Sequence, residues 1–150
     1  MGEKTITMKK QLLTIVLAVG VLASVAQNNR TTLDTLTSYK WETSAFNEDS
    51  LVLNYFRVYT ATTFKTTVVY ADGDNIENNY QYYLSDRKET TFNTSKVGQV
   101  QYGKYMMVKN VSNGSVFCIR ILELNDTEFY FIALVSAVGA GPLRLYASPK

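Results

Sequence analysis

Residues 116–122, Val-Phe-Cys-Ile-Arg-Ile-Leu, carry the clearest fold signal in this chain of 150 residues. Successive side chains of an extended strand point to opposite faces. Phe117, Ile119 and Ile121 therefore share one face, whereas Arg120 lies on the other. An apolar face that alternates with a more polar one is typical of a strand that covers a hydrophobic core.

Similar short runs occur along the rest of the chain. It contains 11 Tyr and 7 Phe, residue types that favour the half-buried surface of a sheet. The two prolines, Pro142 and Pro149, stand near the end and leave the middle of the chain free for strands. The predicted strands are Tyr39–Phe46, Leu51–Thr60, Thr63–Tyr70, Asn79–Leu84, Glu89–Thr94, Val97–Asn110, Val116–Leu124, Glu128–Leu134 and Leu143–Ala147.

Turn residues separate these runs. Asn113-Gly114 favours the positive-φ turn of a hairpin, and Asp72–Asp74 and Asn125-Asp126 indicate two further reversals. The sequence is compatible with a helix only in the polar segment before the first predicted strand or in residues 136–141. The second of these segments is better explained as a loop. Many short strands without a long helical period predict an all-β fold: an antiparallel up-and-down β-barrel of about eight strands, with a β-sandwich as the alternative.

The N-terminus has the pattern of a secretory signal. Lys9 and Lys10 precede the apolar run 12–23, and Ser24-Val25-Ala26 supplies small residues for cleavage before Gln27. A membrane-spanning helix needs about 20 apolar residues, more than this run offers. We therefore expect export to the periplasm or medium of a bacterium, with neither a membrane span nor a lipid anchor.

This interpretation divides the chain into a signal peptide (1–26), a flexible lead (27–37) and a barrel domain (38–150). It holds whether Met1 or Met8 is the true start.

The chain has 15 Lys+Arg and 13 Asp+Glu. Removing residues 1–26 takes away three lysines and one glutamate and leaves 12 of each. A formally neutral mature chain gives no reason to expect nucleic-acid binding.

Residues that catalyse reactions or bind metals are scarce. The sequence contains no histidine and a single cysteine, Cys118, which excludes Ser-His-Asp triads and an internal disulfide. Asp72, Asp74 and Glu77 depart from the spacing of a calcium loop and fit a hydrated turn. Cys118 has no histidine to activate it and is expected to be packed and inert. We therefore expect no enzyme activity and no cofactor.

Aromatic and apolar strand residues suggest a lining for a small apolar ligand. The alternative is that the tyrosines simply cover the faces of the sheet. The residues expected to line the interior and contact a ligand are Phe56, Tyr82, Met106, Phe117, Ile119 and Tyr130.

Several short segments occur in a familiar order: Tyr39-Lys40-Trp41, Tyr70–Gly73, Gly103–Tyr105, Ile121–Phe129 and Leu143–Tyr146. Together they resemble the small secreted lipocalin-like domains of Gram-negative bacteria. The resemblance implies that Trp41 packs under Arg144 and closes the base of the barrel through a cation–π contact. The chain departs from that family in having Tyr39 at a glycine position and no long C-terminal helix. Trp41 fits equally well as an ordinary core aromatic residue.

These observations lead to two hypotheses about function. The first is non-catalytic binding of a small, largely apolar ligand outside the cytoplasm. The second is a protein-interaction module, an inhibitor or a cell-surface accessory subunit, with a filled barrel and a contact surface at Ala133–Pro142. An internal cavity would favour the first hypothesis, and an apolar outer patch would favour the second.

Overall fold

The computed structural model describes residues 30–44, 51–134 and 141–150. Within them, a helix α1 (Thr32–Ser38) precedes the strands, and a short 3-10 helix (Thr94–Lys96) follows the fourth strand. The strands are β1 (Lys40–Ser44), β2 (Val52–Tyr59), β3 (Thr63–Tyr70), β4 (Asn75–Ser85), β5 (Tyr105–Asn110), β6 (Val116–Leu124), β7 (Glu128–Leu134) and β8 (Leu143–Ser148). The predicted signal peptide lies outside the described residues.

The eight strands close into an antiparallel up-and-down barrel. Each strand pairs with the next one in the sequence, and β1 pairs with β8, Trp41 opposite Ala147. Closure gives both edge strands a partner, which removes the exposed edges that an open sheet would present. The predicted eight-stranded barrel is confirmed, and the alternative β-sandwich does not apply.

Strand alternation separates an apolar interior from the outer face. The side chains that β6 was predicted to turn towards a core do so: Ile119 is fully buried, and Phe117 and Ile121 pack against the core. β4 repeats the pattern, with Tyr82 and Leu84 each 1% exposed. The barrel is therefore filled from alternate positions of its strands.

Helix α1 covers one end of the barrel, which we call the base. Thr31 and Asp34 form a capping box at its start, a local signal for a helix N-terminus. Leu33 and Leu36 are buried in the barrel core, and the indole Nε1 of Trp41 donates a 2.9 Å hydrogen bond to the carbonyl of Leu36. The prediction of a flexible lead over residues 27–37 is therefore wrong from residue 32 onward, because this helix buries its apolar side chains.

The connection between β4 and β5, residues 86–104, differs from the prediction. Strands were expected at Glu89–Thr94 and from Val97, but the segment is a long loop that contains the 3-10 helix. Phe92 and Val97 pack on the outer face of the barrel against Tyr83 and Cys118. Phe92 and Val97 are apolar because they pack into this second, smaller core. Apolar residues of this kind also occur in strands, which is why composition alone predicted strands here.

The end of the barrel opposite α1 is called the far end here. Strands β1, β3, β5 and β7 end there, and β2, β4, β6 and β8 begin there, whereas α1 and the 86–104 loop belong to the base. The main-chain N–H of Leu33 donates to the carbonyl of Gln101 at 3.1 Å, which ties the helix to that loop. Residues 45–50, between β1 and β2 in the sequence, and 135–140, between β7 and β8, lie outside the described residues.

Candidate functional site

Aromatic rings fill the interior next to the base. Trp41 and Phe129 are fully buried with ring centroids 5.8 Å apart. Tyr59 stacks on Phe64 at 4.8 Å and meets Tyr82 edge-on at 5.5 Å. Offset and edge-to-face arrangements of this kind are favourable, so the base forms a packed floor to the interior.

Arg57 lies directly above this floor, on the same inward-facing side of β2 as Tyr55 and Tyr59. It is only 8% exposed. Its Nε donates a hydrogen bond to the hydroxyl of Tyr55, and its Nη1 donates to the hydroxyl of Tyr59 at 3.3 Å. The guanidinium carbon stands 4.4 Å from the ring centroid of Phe131 and 5.3 Å from that of Phe64. A cation is thus enclosed by aromatic rings.

No carboxylate of the described residues forms an ion pair with Arg57. The acidic residues of the described strands all share the outward-facing positions: Glu42, Glu77, Glu123 and Glu128. Burial raises the pKa of Tyr59 to about 12, so its hydroxyl stays neutral and supplies no compensating charge. The described interior therefore carries a net positive charge at neutral pH.

Towards the far end the inward-facing side chains are less enclosed. On four of the strands, the inward side chains towards that end are only partly buried: Tyr55 on β2, Phe117 on β6, Ala133 on β7 and Leu143 on β8. Each of these side chains packs against the core yet keeps surface that solvent can reach. The far half of the interior is therefore the part of the barrel that a small molecule could contact.

Four of the six predicted ligand-lining residues face the interior. Tyr82, Met106 and Ile119 belong to the buried core, and Phe117 packs against it near the far end. The hydroxyl of Tyr82 donates to the carbonyl of Thr60 at 2.7 Å, which satisfies its polar end. Tyr82, Met106 and Ile119 are at most 1% exposed, so in this structure they act as core, and Phe117 is the one that keeps accessible surface.

Phe56 and Tyr130 are corrections to the predicted lining, because both lie on the outer face. Phe56 sits beneath the ammonium of Lys40, 5.4 Å from nitrogen to ring centroid. Tyr130 sits beneath the guanidinium of Arg144, at 4.3 Å. A shift of one residue along a strand exchanges the two faces. The inward positions belong to the neighbours of these residues, Arg57 and Phe129.

The expected cation–π pair between Trp41 and Arg144 is also wrong. Trp41 is fully buried inside the barrel, whereas Arg144 stands outside, over Tyr130, and forms a salt bridge with Glu128. Trp41 satisfies its indole N–H through Leu36 instead. Trp41 does plug the base, as the core interpretation predicted, but without Arg144 as its partner.

A second group of side chains lies on the outer face beneath the 86–104 loop. Tyr83, Met107 and Cys118 are buried there, next to a cavity of about 310 Å³ that Lys88 and Glu89 also line. Burial raises the pKa of Cys118, which keeps the thiol protonated and weakly nucleophilic. The predicted packed and inert thiol agrees with this environment.

Glu89 holds that loop in place. Its carboxylate accepts hydrogen bonds from Lys96 at 2.7 Å, from the hydroxyl of Tyr83 at 2.7 Å and from Ser85 at 2.8 Å. The Lys96 ammonium, followed by the Tyr83 hydroxyl, lowers the pKa of Glu89 to about 2. All donors of this cluster are side chains that position the loop, so its role is structural.

Metal ligation has no support in the described part of the chain, where no group of three or more His, Cys, Asp or Glu side chains converges. Asp72 accepts a hydrogen bond from the main-chain N–H of Asp74 at 3.0 Å within the β3–β4 turn. Gly73 supplies the positive φ of 91° there. Asp72, Gly73 and Asp74 form a tight, exposed hairpin turn.

Arg57 and Tyr59 were missed as site residues. The sequence did contain a signal: Tyr55, Arg57 and Tyr59 occupy alternate positions of a predicted strand and must share a face. The pattern did not show which face of the strand points into the barrel. Phe56 and Val58, which lie between these residues, are apolar and suggest that their own face points inward.

The chain matches no protein-family model, no curated protein and no solved structure. The lipocalin-like resemblance therefore stays a prediction. In the described ranges no helix is both long and apolar enough to cross a membrane.

Proposed function

We propose that this protein is exported and acts, without catalysis, by holding a small, largely apolar ligand inside its barrel. The observation that carries the proposal is the ring of partly buried inward side chains at the far end, above a packed aromatic floor. Tyr55 and Phe117 supply aromatic surface to it. Small-molecule sites are lined mainly by apolar and aromatic side chains with a few polar groups. These rings supply the former, and Thr43 and Asn78, which the strand registers also turn inward, supply the latter.

Two further points support the proposal. Barrels of eight strands are wide enough to fill with side chains or to hold one small ligand. The absence of histidine from the whole sequence removes the commonest general base, which favours binding over catalysis. The signal-like N-terminus supports export, and the mass of the exported protein tests it: we expect a chain that begins at Gln27.

Native mass spectrometry of the protein from its own host is the direct test. We expect a bound molecule that dissociates on unfolding. A homogeneous ligand-free protein, together with no affinity for apolar probes, would contradict the proposal.

A fluorescence titration with the neutral apolar dye N-phenylnaphthylamine tests the location of the site. Ala133 faces inward near the far end and its neighbour Ile132 faces outward. We expect Ala133→Phe to fill the space and weaken dye binding, whereas Ile132→Phe, the same added ring on the outer face, leaves it unchanged. Equal effects of the two substitutions would place the dye outside the barrel.

A protein-interaction module is the second candidate, and one observation favours it. Leu51, Leu53 and Ile76 are 74%, 57% and 50% exposed at the far end, and exposed apolar groups often mark contact surfaces. Most of the predicted contact stretch Ala133–Pro142 lies outside the described residues. If the wild-type protein binds neither the dye nor a host molecule, this candidate replaces the first.

A further inference from the structure

We propose that Arg57 anchors a carboxylate, so that the ligand is an amphiphilic acid whose charged end lies at the floor of the barrel and whose apolar part points to the far end. This inference rests on the proposed function and specifies its ligand class. The observation behind it is a buried guanidinium with no carboxylate among the described residues to pair with.

Within the described residues, no negative charge balances the buried guanidinium of Arg57. Arginine is almost never fully buried unless it is paired, and removing a charge from water is costly unless an opposite charge compensates it. Here the compensation comes from the rings of Phe131, Phe64 and Tyr55 and from two phenol hydroxyls. These groups are neutral, so the interior still lacks one negative charge. A bound carboxylate would supply it.

Arg57 has hydrogen-bond donors that its described contacts do not use. A guanidinium has five N–H groups, and the described contacts of Arg57 use two of them, one on Nε and one on Nη1. The remaining three include both N–H groups of Nη2. Carboxylates accept charge-assisted hydrogen bonds from guanidinium donors, so the N–H groups that remain on Nη1 and Nη2 can hold one. The tyrosine hydroxyls already accept from Nε and from Nη1 and restrain the planar group.

Arg57 lies close to the floor of the barrel. It is two residues from Tyr59 at the floor, and Tyr55 follows it towards the far end. From Arg57 to Tyr55 the strand rises by about 7 Å. Thr66 lies opposite Arg57 on β3, and partly buried apolar side chains face the interior on other strands, including Phe117 and Leu143. A ligand anchored at Arg57 would therefore place its apolar part against these residues.

The test compares dodecanoate with dodecanol, which share a chain length and differ in charge, as competitors that displace N-phenylnaphthylamine. We expect the wild-type protein to bind dodecanoate about 10- to 100-fold more tightly than dodecanol, the range for a charge-assisted hydrogen-bonded pair. Arg57→Met should remove this preference and keep the affinity for dodecanol. Arg120→Met is the matched control, since Arg120 lies exposed on the outer face of β6, and should behave like wild type.

The outcomes separate the two proposals. If wild-type protein binds both competitors equally, the binding function stands and the acid preference is wrong. If Arg57→Met retains the preference, the anchor lies elsewhere. If neither competitor binds, the binding function itself fails. Should Arg57→Met not fold, Arg57→Lys keeps the charge but loses the planar donor pair, and we expect it to reduce the preference for dodecanoate without abolishing it.

Discussion

Arg57 and Tyr59 form the central polar contact of the barrel interior, with the guanidinium Nη1 3.3 Å from the phenol oxygen. The two residues belong to the same inward face of β2 and are two residues apart in the sequence. Because no carboxylate of the described residues reaches Arg57, the Tyr59 hydroxyl is one of only two side-chain acceptors that it has there. Each residue of the pair therefore supplies the other with a hydrogen-bond partner.

A double-mutant cycle should detect this dependence. Tyr59→Phe removes an acceptor from a buried cation and should lower the free energy of unfolding by about 1–3 kcal/mol. In an Arg57→Met background the hydroxyl has already lost its donor, so the same substitution should cost at least about 1 kcal/mol less. Urea denaturation of the four proteins gives the coupling.

The control for this cycle is Tyr82→Phe. Tyr82 is equally buried, but its hydroxyl donates to the carbonyl of Thr60. Its effect should be the same with and without Arg57. If Tyr59→Phe and Arg57→Met are additive within about 0.5 kcal/mol, the size expected for independent sites, the two side chains do not support each other.

Trp41 fastens α1 to the base, and its replacement should loosen that end of the barrel. Trp41→Phe removes a hydrogen bond of 2.9 Å to Leu36 and part of a fully buried ring. We expect a loss of about 2 kcal/mol in the free energy of unfolding, measured by urea denaturation. Tyr146→Phe, at a position 53% exposed, should change little. Equal midpoints for the two variants would contradict the assigned role of Trp41.

Much of the barrel follows from local sequence patterns. The bounds of β3, β6 and β7 match the prediction, because alternation and flanking turn residues are both local signals. The Asn113-Gly114 turn occurs where predicted, with a φ of 73° at Gly114. The capping box of Thr31 and Asp34 was also present in the sequence and could have shown α1 within the supposed flexible lead.

The site depends on which face of β2 points into the barrel, and this is set by strand pairing that local sequence patterns do not show. The apolar Phe56 beside the charged Arg57 suggests that the phenylalanine points inward. The pairing of β1 with β2 places Arg57 opposite Trp41, so Arg57 points inward instead. Arg144 was expected beside Trp41, yet Trp41 pairs with Ala147. These relations join strands that are far apart in the chain, so no short motif could fix them.

Gly103 should tolerate no side chain. A Cβ there would stand 2.7 Å from the main-chain nitrogen of Ser85 and 2.8 Å from its oxygen. Backbone atoms cannot move aside as a flexible side chain can, so we expect Gly103→Ala to cost about 1–3 kcal/mol in unfolding experiments. Gly141→Ala is the control, since nothing lies within 4 Å of its added carbon. A melting temperature for Gly103→Ala equal to that of the control would refute the close approach.

Because the ionised Glu89 side chain holds the 86–104 loop, we expect the free energy of unfolding to fall at acidic pH. The pKa of Glu89 falls from 4.5 to about 2 in the folded protein, so the ionised carboxylate stabilises the fold above about pH 4.5. This contribution is lost as the pH falls from 4.5 towards 2. We expect Glu89→Gln to cost about 1–2 kcal/mol at neutral pH and progressively less over that acidic range, measured by urea denaturation at each pH.

The same substitution should expose the thiol beneath the loop. Cys118 is 3% exposed and packs under Phe92 and Val97, so we expect a thiol reagent to reach it faster when the loop lifts. Glu89→Gln should therefore speed the labelling of Cys118 at neutral pH. Glu77→Gln is the matched control, because Glu77 pairs with Lys65 on an exposed surface remote from the loop, and it should leave the rate unchanged. If both variants are labelled at the wild-type rate, Glu89 does not hold the loop, and the loop closes over Cys118 through its apolar contacts alone.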